Sequence, residues 1–185
     1  MDTKIEKENL RKWAKEVRLN IDLKTISSNI LKKIVNLKEY KAAKNVMSYH
    51  AKELEVSLKD LFDDKEKNWF LPTIGLPNYK SLLVVPYLPH HTKLNYGIFG
   101  VYEPEIIDNV FFDQTDKKID LDIIFVPGLC FNKDGYRVGY GKGFYDTFLK
   151  LNPNALKIGC CPKSCMIEKI PAEEWDIKVD MVITD

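Results

Sequence analysis

Four of the chain's nine glycines fall between Gly135 and Gly143, in the run GYRVGYGKGFYD. The run follows an apolar stretch, Leu121–Val126, and precedes a segment with helical character, Phe144–Leu151. Glycines at the end of a strand let backbone amides approach an anion, and a helix start adds further N–H groups. Arg137 and Lys142 place positive charge in the same run. The chemistry this suggests is phosphate binding. It is neither of the two common phosphate loops. Counting from Gly135, the P-loop pattern needs glycine where Tyr140 stands, and Lys142 is followed by glycine rather than Ser or Thr. The dinucleotide pattern needs a later glycine than the spacing Gly139-x-Gly141-x-Gly143 supplies. A turn that simply requires positive φ is the competing explanation.

The elements that must position this loop are readable from periodicity. Leu10, Trp13, Ala14 and Val17 recur at helical spacing, with Asp2 or Thr3 as the cap. Lys7 and Arg11, four apart, share one face of that helix. A second helix is expected from Ser27 or Ser28 to Leu37, and a third from Lys52-Glu53-Leu54-Glu55 through Leu61 and Phe62. Strands are expected at Asn45–Tyr49, Trp69–Ile74, Ser81–Leu88, Leu121–Val126, Leu156–Cys160 and Val179–Thr184, with residues 89–118 irregular. Alternating strands and helices predict one α/β domain over residues 1–185. Its architecture is a layered α/β/α fold with a mainly parallel central sheet. In such sheets ligands bind beyond the carboxyl ends of the strands, which is where the glycine run falls.

Composition narrows the function classes. Lys+Arg number 28 and Asp+Glu 27, a net charge of +1, which argues against a nucleic-acid binder. No apolar run is long enough to span a bilayer. The charged N-terminus, MDTKIEKENLRKW, does not resemble a secretory signal. Cys130, Cys160, Cys161 and Cys165 make a poor disulfide framework and fit a cytoplasmic location as free thiols. Their spacing is not that of a zinc site, and His50, His90 and His91 are remote from them in sequence. His90-His91 reads as an exposed loop pair.

The run VPGLCFNKDGYRVGYGKGFYDTFL, residues 126–149, resembles the signature of the 5-formyltetrahydrofolate cyclo-ligases, or methenyltetrahydrofolate synthetases. Val138 and Phe144 replace that family's Leu and Tyr. Lys7 with Arg11 is similar to the family's opening Lys-x-x-x-Arg element. Glu55 falls where a glutamate follows the first strand, and Pro171, Asp176, Asp180 and the terminal VITD match the family's close. Thr147 and Cys165 depart from residues common there, and residues 65–118 match weakly apart from Glu103-Pro104.

The resemblance implies an enzyme that converts 5-formyltetrahydrofolate to 5,10-methenyltetrahydrofolate with ATP as co-substrate and magnesium. The formyl oxygen is activated by phosphoryl transfer, the ring closes, and ADP and phosphate leave. By resemblance, Lys7, Arg11, Arg137, Gly139, Tyr140, Gly141, Lys142, Gly143, Phe144 and Tyr145 bind ATP. Arg137 and Lys142 also serve the transferred phosphoryl group. Glu55, Tyr140 and Phe144 border the folate, and Asp146 and Asp176 ligate magnesium, with Asp180 a rival for Asp176. The partners implied are small molecules only, with neither nucleic acid nor membrane, acting on a monomer. The alternatives are a non-catalytic folate- or nucleotide-binding module of the same fold, and a sugar-phosphate enzyme or acyl transferase with a similar loop.

Overall fold

The computed structural model describes residues 2–74, 82–97, 100–107, 110–113 and 118–185. Helix α1 spans Thr3–Leu19 and is capped by the Asp2 carboxylate, which accepts from the Lys4 amide. Helices α2 (Leu23–Ile34) and α3 (Lys38–Ala42) follow. The strands are β1 (Asn45–Met47), β2 (Asn68–Thr73), β3 (Leu83–Tyr87), β4 (Leu94–Tyr96), β5 (Tyr102–Pro104), β6 (Ile123–Val126), β7 (Cys130–Asn132) and β8 (Arg137–Val138). Helix α4 (Phe144–Leu151) precedes β9 (Leu156–Cys160), β10 (Met166–Ile167) and β11 (Met181–Ile183).

The main sheet has the order β11-β9-β6-β1-β2-β3. Every neighbouring pair in it is parallel except β2 with β3. Side chains alternate between two cores, as the period of a strand requires. Ile123 and Phe125 face a core shared with Ile30 and Ile34 of α2, while Ile124 and Val126 face one shared with Ala14 of α1 and Phe148 of α4. The expected α/β/α layering is thus realised. Burial on both faces explains why Ile123–Val126 reads as an unbroken apolar run rather than an alternating one. Pairing of β1 with β2 ends at Phe70, so Pro72 lies where β2 has only β3 beside it; there the missing N–H costs least.

Several local expectations are corrected. Helix α2 begins at Leu23 rather than Ser27, because the Asp22 carboxylate caps it through the Lys24 and Thr25 amides. The expected helix from Lys52 to Phe62 is a turn followed by one 3₁₀ segment, Lys59–Asp63. The first of its residues hold a bend in which the Lys52 amide donates to the Glu55 carboxylate at 2.8 Å. Residues 89–118, expected to be irregular with loop and short strand, pair their short strands as the β4–β5 hairpin. Ser81, the first residue of the strand expected to end at Leu88, lies outside the described residues.

The strand order reverses between β1 and β6. β2 and β3 build outward on one side, and β9 and β11 on the other. The loops leaving the carboxyl ends of β1 and β6 therefore diverge and leave a crevice, the switch point of an open α/β sheet. Arg18 spans it from α1. Its side chain is 1% exposed. The guanidinium donates to the Leu54 carbonyl in the loop after β1 at 2.6 Å. It also donates to the Gly128 and Leu129 carbonyls in the loop after β6, at 2.8 and 2.9 Å. Replacing Arg18 with Met should leave these carbonyls buried without a donor. The expected loss is about 3 kcal/mol or more in urea unfolding; an unchanged midpoint would remove Arg18 from this role.

Candidate active site

A cavity of about 530 Å³ opens at the switch point. It is walled by the loop after β1, the glycine run after β8, the β4–β5 hairpin, the first turns of α1 and the segment before β11. All of the residues singled out from the sequence as site candidates line it: Lys7, Arg11, Glu55, Arg137 and the residues from Gly139 to Asp146, with Asp176. Asp180 does not; its carboxylate accepts from the Lys157 amide at 2.7 Å instead. Of the two aspartates, Asp176 is the one that lines the cavity.

Three glycines of the run are left-handed, Gly135 at its start with φ +89° and two at its end. Gly141 has φ +85° and Gly143, the residue capping α4, has φ +72°. Both values disfavour any side chain. Arg11 lies against the loop: its Nε donates to the Gly139 carbonyl at 2.9 Å, and a Cβ at Gly141 would stand 2.8 Å from its guanidinium nitrogen. The loop that leads into α4 is therefore held from α1, the helix whose residues 7, 11, 14 and 18 form one inward stripe.

The charges of this end pair with each other. Lys7 donates to Glu173 at 2.7 Å and to Asp176 at 2.6 Å. Burial opposes its charge, but the hydrogen bonds to Asp176 and Glu173 outweigh that and hold the ammonium above its ordinary pKa. Arg137 donates to Asp146 at 2.9 Å and to the Ile177 carbonyl at 2.7 Å. Asp146 Oδ1 also accepts from the Ile177 amide at 3.1 Å. The segment carrying Asp176 is thereby tied to the first turn of α4, and the two aspartates come to one wall. Asp146 uses only Oδ1 and Asp176 only Oδ2, so one oxygen of each has no protein donor among the described residues. No group of three or more metal-ligating side chains occurs among those residues.

The other end is aromatic and holds one buried acid. Glu55 is buried, and burial raises its carboxyl pKa, opposed by the hydrogen bond from the Lys52 amide and by the charges of Lys52 and Arg18. Tyr49, Tyr140 and Tyr145 line this region, and burial first of all raises each phenol above its ordinary value. The Lys52 ammonium lies 4.1 Å from the centroid of the Tyr140 ring, a cation–π contact that occupies one face of that ring. Glu103 of β5 accepts from the Thr73 hydroxyl at 2.7 Å and the Ile74 amide at 2.9 Å, which fastens the hairpin to the end of β2. Trp175 stands on the cavity rim, 65% exposed.

Sequence reasoning gave no role to Arg18, His50, Lys52, Glu103, Glu173 and Trp175. Arg18 had a signal: it continues the spacing of Lys7 and Arg11 along α1, and it is one of only three arginines. His50 and Lys52 had none, because their inward placement depends on the bend after β1. The cysteines are free thiols, all buried. Cys161 Sγ lies 3.9 Å from Arg18. The hydrogen bond with Cys161, opposed by burial and aided by Arg18, lowers the Cys165 thiol to about 6.

Comparison with known proteins gives a consistent result. Residues 3–185 match the 5-formyltetrahydrofolate cyclo-ligase family. The chain is 29% identical over 181 residues to the 5-formyltetrahydrofolate cyclo-ligase of Haemophilus influenzae, covering 93% of this chain and 94% of that one. It is 29% identical over 189 residues to the enzyme of that name from Mus musculus, covering 96% and 88%. The solved 5,10-methenyltetrahydrofolate synthetase of Aquifex aeolicus superposes with a TM-score of 0.76 at 30% identity, covering 96% of this chain and 88% of that one.

Replacing Gly141 with Ala should cost about 1–2 kcal/mol in urea unfolding, from the left-handed φ together with the crowding against Arg11. Gly139→Ala is the control, since nothing lies within 4 Å of a Cβ there. Equal effects at the two positions would discount the strain at Gly141.

Proposed function

The chain belongs to the 5-formyltetrahydrofolate cyclo-ligase family, and we propose that its cavity joins 5-formyltetrahydrofolate and ATP for ring closure to 5,10-methenyltetrahydrofolate, with magnesium. The observation that carries this reading is the division of one cavity into two chemically different ends. One end offers glycine-loop backbone, Arg11, Arg137 and Lys7; the other offers aromatic walls and the buried Glu55.

The reaction needs a poor leaving group, the formyl oxygen, converted to a good one by phosphorylation. A protein that does this mainly positions two substrates and neutralises charge. In this reading the nucleotide phosphates lie against the glycine run and the basic stripe of α1, with Arg137 and Lys142 at the transferred group. The planar forks of Arg11 and Arg137 suit phosphate oxygens. Glu55 accepts hydrogen bonds from the amino and amide donors of the folate ring, and Tyr140 and Phe144 border it.

Magnesium fits the residues present. It commonly takes one or two carboxylates, with phosphate oxygens and water filling its other positions. Asp146 and Asp176 each have one oxygen without a protein donor among the described residues. They would hold the ion, and it would neutralise phosphate charge there. Nucleotide entry offers Lys7 a phosphate in place of its carboxylates, which frees Asp176 for the ion. Small-molecule substrates and free thiols throughout fit a monomer working in the cytoplasm, where no protein or nucleic-acid partner is required.

The decisive experiment is a spectrophotometric assay of methenyl product from 5-formyltetrahydrofolate, with and without ATP and magnesium. Product only when both are present is the expected outcome, and product formed without ATP would sink the mechanism. Asp146→Asn should raise the magnesium concentration needed for half-maximal rate about tenfold or more with folding unchanged. A wild-type magnesium titration would remove Asp146 from the metal site. Glu55 accepts through both oxygens at once only when ionised, and its pKa is raised. As pH falls, apparent folate affinity should therefore weaken at a higher pH than an ordinary glutamate would dictate. Glu55→Gln should weaken folate affinity and abolish that acidic limb. Retention of the limb in this variant would assign it to another group.

A further inference from the structure

His50 is the histidine of the cavity wall; His90 and His91 are exposed in the turn after β3. It lies three residues beyond the end of β1, at the mouth of the switch-point crevice and five residues before Glu55. Its ring packs against Phe62, with centroids 5.7 Å apart, and edge-on against Tyr87 at 5.8 Å. These contacts fix the plane of the imidazole without engaging its nitrogens. Nε2 is buried and has no hydrogen-bond partner among the described residues. Buried polar atoms are nearly always paired, so such an exception in a cavity wall calls for an account. Burial also lowers the pKa of this histidine, which favours the neutral ring.

The proposed reaction releases a proton that needs an acceptor. The attacking folate nitrogen is a secondary amine with one N–H. Its lone pair forms the new N–C bond at the activated formyl carbon. The C–O bond to the phosphorylated oxygen then breaks, and phosphate leaves with the bonding pair. The nitrogen carries no hydrogen in the methenyl product, so one proton must depart. The lysines and arginines of the cavity are cations with no lone pair to give. The phenols of Tyr49, Tyr140 and Tyr145 are held protonated by burial. Asp146 and Asp176 are assigned to the ion, and Glu173 pairs with Lys7, all at the phosphate end. Glu103 is committed to Thr73 and Ile74, and Glu55 is assigned to the ring donors.

We propose that His50 is a catalytic residue of ring closure, its imidazole taking the proton that the attacking folate nitrogen loses. The resulting imidazolium returns the proton to solvent as product leaves. The inference rests on the reaction assigned above, and it adds to that reaction an acid–base group outside the glycine run.

The test separates phosphorylation from closure. Full-length wild type, His50→Ala and His50→Asn are mixed with 5-formyltetrahydrofolate, ATP and magnesium in single-turnover rapid quench. ADP and methenyl product are followed separately. Both variants should form ADP within about threefold of wild type and close the ring ~10²-fold or more slowly, the usual scale of general-base catalysis. Added imidazole should restore closure by His50→Ala in a saturable way. Closure by His50→Asn at the wild-type rate overturns the proposal, as does equal loss of ADP formation and closure in both variants. His50→Asn retains a planar polar side chain, so it carries the test if His50→Ala fails to fold. A wild type that makes no methenyl product overturns the assigned reaction, and His50's role with it. An active wild type with unimpaired variants overturns only the latter.

Discussion

The active cavity depends on one buried guanidinium. The sheet opens a crevice wherever its strand order reverses, but an opening alone does not make a site. The two loops that bound it here leave different strands and have no ladder in common, and Arg18 joins them through the Leu54, Gly128 and Leu129 carbonyls. Taking a guanidinium out of water is expensive, and only a full set of acceptors offsets it. The loops are thus pulled to where the acceptors are needed. Glu55 directly follows Leu54, and the β7–β8 hairpin that delivers Arg137 follows Leu129. Positions on both walls trace back to a single side chain of α1.

The same helix carries the basic side chains of the cavity's other end. Residues 7, 11, 14 and 18 form one stripe: Lys7 reaches the acidic segment, Arg11 the glycine loop, Ala14 the core and Arg18 the crevice. Lys7 and Arg137 are neutralised by Asp176, Glu173 and Asp146 rather than left facing one another. An anionic ligand must therefore exchange partners rather than merely add to them, so its binding is selective for groups that satisfy cations and carboxylates together. A nucleotide with a divalent ion has that composition.

What could be read from the sequence divides along physical lines. Helix α1, strand β6, the glycine run and α4 were legible because periodicity, a doubly buried apolar run and turn chemistry are local properties. The candidate site residues come from a specific motif, and the structure gathers them around one cavity. The bend after β1 was not legible. Lys52-Glu53-Leu54-Glu55 has helical composition, but the Glu55 carboxylate captures the Lys52 amide and Arg18 captures the Leu54 carbonyl. Both are tertiary decisions that override local preference. The β4–β5 hairpin was hidden for a related reason: Glu103 fastens it to β2, a partner thirty residues away.

The placement of the tryptophans has an optical consequence. Trp69 is sealed in the core with its indole N–H on the Asp64 carbonyl, and Trp13 packs against the core beneath α1. Neither lines the cavity, whereas Trp175 stands in solvent at its rim. Filling the cavity changes the surroundings of one indole in three. The protein's own emission is therefore a gauge of occupancy that needs no label, with two silent fluorophores as an internal reference and one reporter beside Asp176.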